Sequence, residues 1–182
     1  MSPLARARRG STRLTHGLVA AGAFAALTLT GCAPSAANAA VVEGVRIPDV
    51  AVREATPVVA AILQRDAAVA SRQAVFDLTV GEASAIIADR NEVDVTDAEL
   101  SAVLSQSPRY AAAAQTEEGR DWVHSVARAF VVMDKVGREE FLAELGDMDI
   151  EINPRYGTWD GTRFTLADAS LARVAPSAQV PG

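Results

Sequence analysis

Val41-Val42-Glu43-Gly44-Val45-Arg46-Ile47 opens the body of this chain, and Met148-Asp149-Ile150-Glu151-Ile152-Asn153 comes near its end. The first stretch holds two short β-branched runs around a two-residue X-Gly turn, the pattern of a small hairpin. The second alternates apolar and polar residues, as a half-buried strand does. Pro48 and Pro154 limit the two stretches. What lies between reads as helix, so the expected order is β, four or five helices, β. Strands at both ends of the body that pair would close the domain. The expected fold class is α+β, mostly helical, with four to five helices flanked by short N- and C-terminal β-strands.

The helices are placed by apolar spacing and by caps. From Asp49 to about Ala70, Val52, Ala55, Val59, Ile62 and Leu63 recur at helical intervals. Pro57 falls inside, so the helix either starts near Thr56 with Pro57 at its first position or is kinked there. A second helix is expected from about Ser71 to Arg90, with Phe76, Val80, Ala83 and Ile87 on one face and Gly81 as a mild weakness. Thr96 and Glu99 form a capping box for a third helix, which Ser107-Pro108 ends. The fourth runs from about Thr116 to Val136 and keeps Trp122, Val126, Ala129, Phe130 and Met133 on one face. Gly137 breaks it. A last short helix covers 138–145, with Gly146 as its stop. Arg155 to Gly161 is turn-rich, and Asp160-Gly161 suits a further turn.

Composition excludes several function classes. The chain has 182 residues and a formal charge of −6. Its first 31 residues contain Arg6, Arg8, Arg9 and Arg13 and no acid, which leaves 13 basic and 23 acidic residues in 32–182, a net −10. An acidic body argues against nucleic acid and against electrostatic docking on anionic lipid. One Cys forbids an intramolecular disulfide, and His124 is the only His beyond residue 31, so no cofactor or metal is expected. There is no G-x-x-x-x-G-K-[ST] loop.

Residues 1–31 read as an export signal: a basic n-region, then an apolar run from Gly17 to Leu29 that is too short to span a bilayer. Leu29-Thr30-Gly31-Cys32 resembles the lipobox of bacterial lipoproteins. The small residues admit a signal peptidase, and the thiol takes the diacylglycerol. The resemblance implies that Cys32 is the acylated N-terminus of a mature chain anchored to the cell membrane, outside the cytoplasm and away from ATP. The competing reading is an ordinary secretory signal cleaved near Ala36–Ala40. Residues 32–39 then form an acylated tether, 40–160 the folded body, and 161–182 a C-terminal tail whose last part, 170–182, lacks any period.

Three local features resemble the SurA-type N-terminal domain of extracytoplasmic chaperones and parvulin-type foldase lipoproteins. Val42 to Ile47 is similar to the family's V-x-G-x-x-I opening strand. Val95-Thr96-Asp97-Ala98-Glu99-Leu100 is similar to its [VI]-[ST]-D-x-E-[VIL] helix start. Ile152-Asn153-Pro154-Arg155-Tyr156-Gly157 is similar to its V-N-P-R-[YF]-G segment. The chain has no room for a parvulin isomerase domain, so isomerase activity is not carried over. The resemblance implies ATP-independent binding of unfolded or extended secreted polypeptides. The alternative is an adaptor or assembly lipoprotein for one cell-envelope partner.

The candidate polypeptide-binding residues are Trp122, Phe130, Met133, Tyr156 and Trp159. The first three either line a client groove or form plain core; the last two either pack over the small sheet or present an aromatic edge. No catalytic residue is proposed. His124 and Ser125 are adjacent and do not face each other on a helix. Asp94, Asp97 and Glu99 lack the spacing of a calcium loop and read as helix capping.

Overall fold

The computed structural model describes residues 37–163 and 165–167, all within the unit Cys32–Gly182. Cys32 and the export signal lie outside the described residues. The fold is mostly helical α+β. Strand β1 (Asn38–Val42) turns through Glu43 and Gly44 into β2 (Val45–Pro48). Both turn residues have positive φ, 49° and 83°, as a two-residue hairpin with the right-handed strand twist requires. Gly44 suits this position because it has no Cβ. Strand β3 (Ile150–Ile152) pairs antiparallel with β1, Val42 opposite Ile150 and Ala40 opposite Ile152. The sheet order is β2-β1-β3, so the strands at the two ends of the body pair and close it.

Six helices fill the interval: α1 (Asp49–Leu63), α2 (Ala67–Arg90), α3 (Asp97–Ser105), α4 (Pro108–Ala113), α5 (Glu117–Val136) and α6 (Arg138–Asp147). The core is a single cluster that includes Val42, Val52, Val75, Ile87, Trp122 and Leu145. The Thr96 capping box is present: the Glu99 amide donates to Thr96 Oγ1 at 3.3 Å, and the Thr96 amide donates to Glu99 Oε2 at 2.9 Å. Thr116 caps α5 with its side chain alone, accepting from the Gly119 amide at 3.0 Å. Gly137, at φ 99°, separates α5 from α6. Among the described residues no helix is long and apolar enough to cross a membrane.

Five boundaries differ from expectation. The helix that opens at Asp49 carries Pro57 in its interior and stops at Leu63, because Gln64 turns left-handed and Asp66 caps the next helix by accepting from the Val69 amide. The break therefore falls at Gln64–Asp66 and not near Ala70. Pro108 does more than end α3: it opens α4 as an N1 proline, and Arg109 reaches back to the Ile62 carbonyl at the end of α1. Gly146 lies inside α6, which ends at Asp147. The folded body also extends past residue 160. Strand β4 (Thr158–Asp160) pairs with β5 (Thr165–Ala167), and the intervening turn is held by amides of Thr162 and Arg163 donating to Asp160 Oδ1. Part of the expected tail thus belongs to a separate two-stranded hairpin, and β1 begins inside the expected tether.

Gly81 is a packing requirement and not a weakness. A Cβ built there would lie 2.4 Å from Ser125 Cβ and 2.8 Å from Ser125 Cα on α5. Both positions are buried, so α2 and α5 come together backbone to backbone. Overpacking a fixed contact costs about 1–3 kcal/mol, more than the roughly 1 kcal/mol that Ala gains over Gly in a helix. Gly81→Ala is therefore expected to lower unfolding stability by up to about 2 kcal/mol in urea melts; an increase in stability would show that α2 and α5 are not so closely apposed.

Candidate functional site

Helix α5 is apolar over a broad arc. Trp122, Val123, Ala127, Val131 and Val132 are buried. Trp122, Val126, Phe130 and Met133 fall within about 80° of one another around the helix, so the single face expected for them is present, and what differs along it is how far each side chain is covered. Trp122 is 1% exposed and Phe130 53% exposed. Met133 is half-buried. Trp122 therefore belongs to the core and not to a binding surface. Its ring meets Tyr110 edge-on, with centroids 5.7 Å apart, and its Nε1–H donates to Asp77 Oδ2 at 2.8 Å.

Phe130 and Met133 stand between two depressions. The larger, about 840 Å³, runs between α3, α4, the second half of α5 and the start of α6. Val103, Leu104, Tyr110, Val126 and Val131 line it together with Phe130. This size is in the range of ordinary ligand clefts. Its polar edge is fixed by Lys135, which pairs with Glu99 Oε1 at 2.6 Å and donates to the Asp94 carbonyl at 2.7 Å. The Lys135 hydrogen bond, with those from Thr96, holds the Glu99 carboxyl down to about 2. The smaller hollow, about 190 Å³, lies across Phe130 between α2, α5 and α6 and includes Phe76, Asp77, Val80 and Phe141.

Tyr156 and Trp159 do not join this site. Tyr156 is buried, and its hydroxyl donates to Asp49 Oδ1, the atom that also receives Arg155 Nη2. Burial first, and then the Asp49 hydrogen bond, push the Tyr156 phenol up to about 12. The Arg155 guanidinium lies 4.8 Å from the centre of the Tyr156 ring. Asn153 Nδ2 donates to the Asn38 carbonyl, and the Tyr156 amide donates to the Asn153 carbonyl. This segment thus ties the third strand to β1 and to the start of α1. Trp159 is half-buried and stacks on Phe76, centroids 5.9 Å apart, which sets one boundary of the Phe76 side of α2. Ser125 is buried, and its hydroxyl donates to the Asp121 carbonyl.

Asp77 is the site residue that sequence reasoning did not find. Its partners come from Trp122, 45 positions away, and from Gln73 Nε2, which donates to Asp77 Oδ1 at 2.8 Å. The nearest sequence signal is Phe76, which marks this part of α2 as apolar. Burial raises the Asp77 carboxyl to about 6, against the lowering effect of both hydrogen bonds. Because the folded state holds this proton more tightly than the unfolded chain, stability falls as pH rises from about 4 to about 6. The full cost, on the order of 3 kcal/mol, is reached above that window. Asp77→Asn keeps the shape and cannot ionise. Its stability relative to wild type is expected to improve by that order between pH 4 and pH 7 in paired denaturant melts. A pH-independent difference would mean that the carboxylate is well solvated.

The chain was compared with protein-family models, with curated proteins and with solved structures, and no match was found in any of the three.

Proposed function

We propose that this chain is a lipid-anchored, extracytoplasmic, chaperone-like protein that binds unfolded or extended secreted polypeptides without ATP. The observation that carries the reading is Phe130: a large aromatic side chain, 53% exposed, between two apolar depressions on a helix that otherwise packs into the core. Covering its exposed half would contribute on the order of 2 kcal/mol, from apolar area alone. A cleft with apolar walls and a charged edge suits apolar anchors of a chain that carries varied residues between them. The adaptable Met133 beside Phe130 favours breadth of clients over one fixed shape. The lipobox at Cys32 would place this cleft outside the membrane, where nascent secreted chains emerge.

Two experiments test the reading. The purified chain at a few-fold excess is expected to suppress light scattering by a chemically denatured test protein diluted into buffer. Phe130→Ser should weaken that suppression several-fold while leaving the melting temperature unchanged. If wild type does not suppress aggregation, and one stoichiometric partner is recovered from membranes instead, the adaptor reading replaces this one. Separately, Cys32→Ser is expected to abolish metabolic labelling with an alkyne fatty acid and to move the chain out of the membrane fraction. Unchanged labelling would remove Cys32 as the anchor.

A further inference from the structure

The 190 Å³ hollow on the α2 side of Phe130 is smaller than the roughly 300 Å³ at which small-molecule pockets begin. It is of a size for one long side chain. Its apolar walls include Phe76, Val80, Phe130, Met133 and Phe141, and Asp77 is the one charged residue of the lining. Both hydrogen-bond partners of Asp77, Trp122 Nε1 and Gln73 Nε2, are neutral. Among the described residues no cation pairs with it. Each carboxylate oxygen accepts one of these bonds and keeps capacity for another.

We propose that this hollow receives a basic side chain, Lys or Arg, from the bound polypeptide, its stem against Phe130 and Met133 and its cationic head at Asp77. The inference rests on the polypeptide-binding reading above and names the residue class that the cleft selects. An apolar occupant would finish burying an ionised carboxylate without compensating it, which is costly. A basic side chain matches both parts of the site. Its methylene stem covers apolar wall while its head stays polar, and the rings of Phe76 and Phe130 favour a cation nearby. The raised Asp77 carboxyl reports the same desolvation that a cation would relieve. Phe130 and Met133 line both depressions, so residues flanking the basic one would lie in the larger cleft. The net −10 of residues 32–182 attracts basic segments over a longer range.

The test uses the purified full chain and two fluorescein-labelled peptides of alternating Leu and Ser that differ only at the centre, one with Arg and one with Met. At neutral pH the Arg peptide is expected to bind about tenfold tighter in fluorescence polarisation. In Asp77→Asn the Arg-to-Met affinity ratio should fall to near one, with the variant shown folded by its melting curve. Equal binding of the two peptides to wild type, or a preference that survives Asp77→Asn, would overturn the inference and leave the polypeptide-binding reading standing. Failure of both peptides to bind would overturn the reading and the inference together.

Discussion

The contact between Gly81 on α2 and Ser125 on α5 is the constraint on which the other features depend. With no Cβ on one side and a small side chain on the other, the two longest helices approach backbone to backbone. That approach brings Trp122, one turn before Ser125, to Asp77, one turn before Gly81, and closes their hydrogen bond at 2.8 Å. Further along α5, Phe130 emerges between the hollow that α5 shares with α2 and the larger cleft against α3 and α4. A bulkier residue at position 81 would separate the helices and disturb the core and the cleft together.

The Asp77–Trp122 bond satisfies the indole of a fully buried tryptophan, which would otherwise be left without an acceptor at a cost of roughly 1–3 kcal/mol. A neutral acceptor such as an amide would satisfy it without desolvating a charge. The carboxylate is the more expensive choice for stability, since burial raises its pKa to about 6. Expensive ionisable groups concentrate where function uses them. The position of Asp77 in the wall of an apolar hollow is consistent with that pattern, because the group that costs stability in the empty hollow is the one a cationic side chain would compensate.

Much of the fold was legible in local sequence. The Glu43-Gly44 turn, the Thr96–Glu99 box, the Thr116 cap and the alternation of Met148 to Asn153 each carry their structural reason within a few residues, and each element formed where that reason put it. The boundary at Gln64–Asp66 was harder to read because Ala67 and Ala70 continue the apolar spacing of α1, while a single Asp cap outweighs that continuity. Pro108 has two opposite local meanings, end of one helix or first position of the next, and only the Arg109 contact to α1 distinguishes them. The site was less legible. Phe130 and Met133 were named, yet their separation from Trp122 follows from which neighbours cover α5. Asp77 could not be found, because its partner lies on another helix.

The three motifs singled out in the sequence bear on this division. Glu43 and Gly44 make the turn, and Glu43 Oε1 accepts from the Asp149 amide across to the strand that β1 pairs with. Thr96 and Glu99 start α3 and, through Lys135, bind it to α5. Asn153, Arg155 and Tyr156 clamp the third strand to Asn38 and Asp49. All three are frame-building devices. A chain could keep them while its cleft changed, since Phe76, Asp77, Phe130 and Met133 lie in none of them. These segments therefore account for how the domain is held together, and the cleft is built by residues outside them.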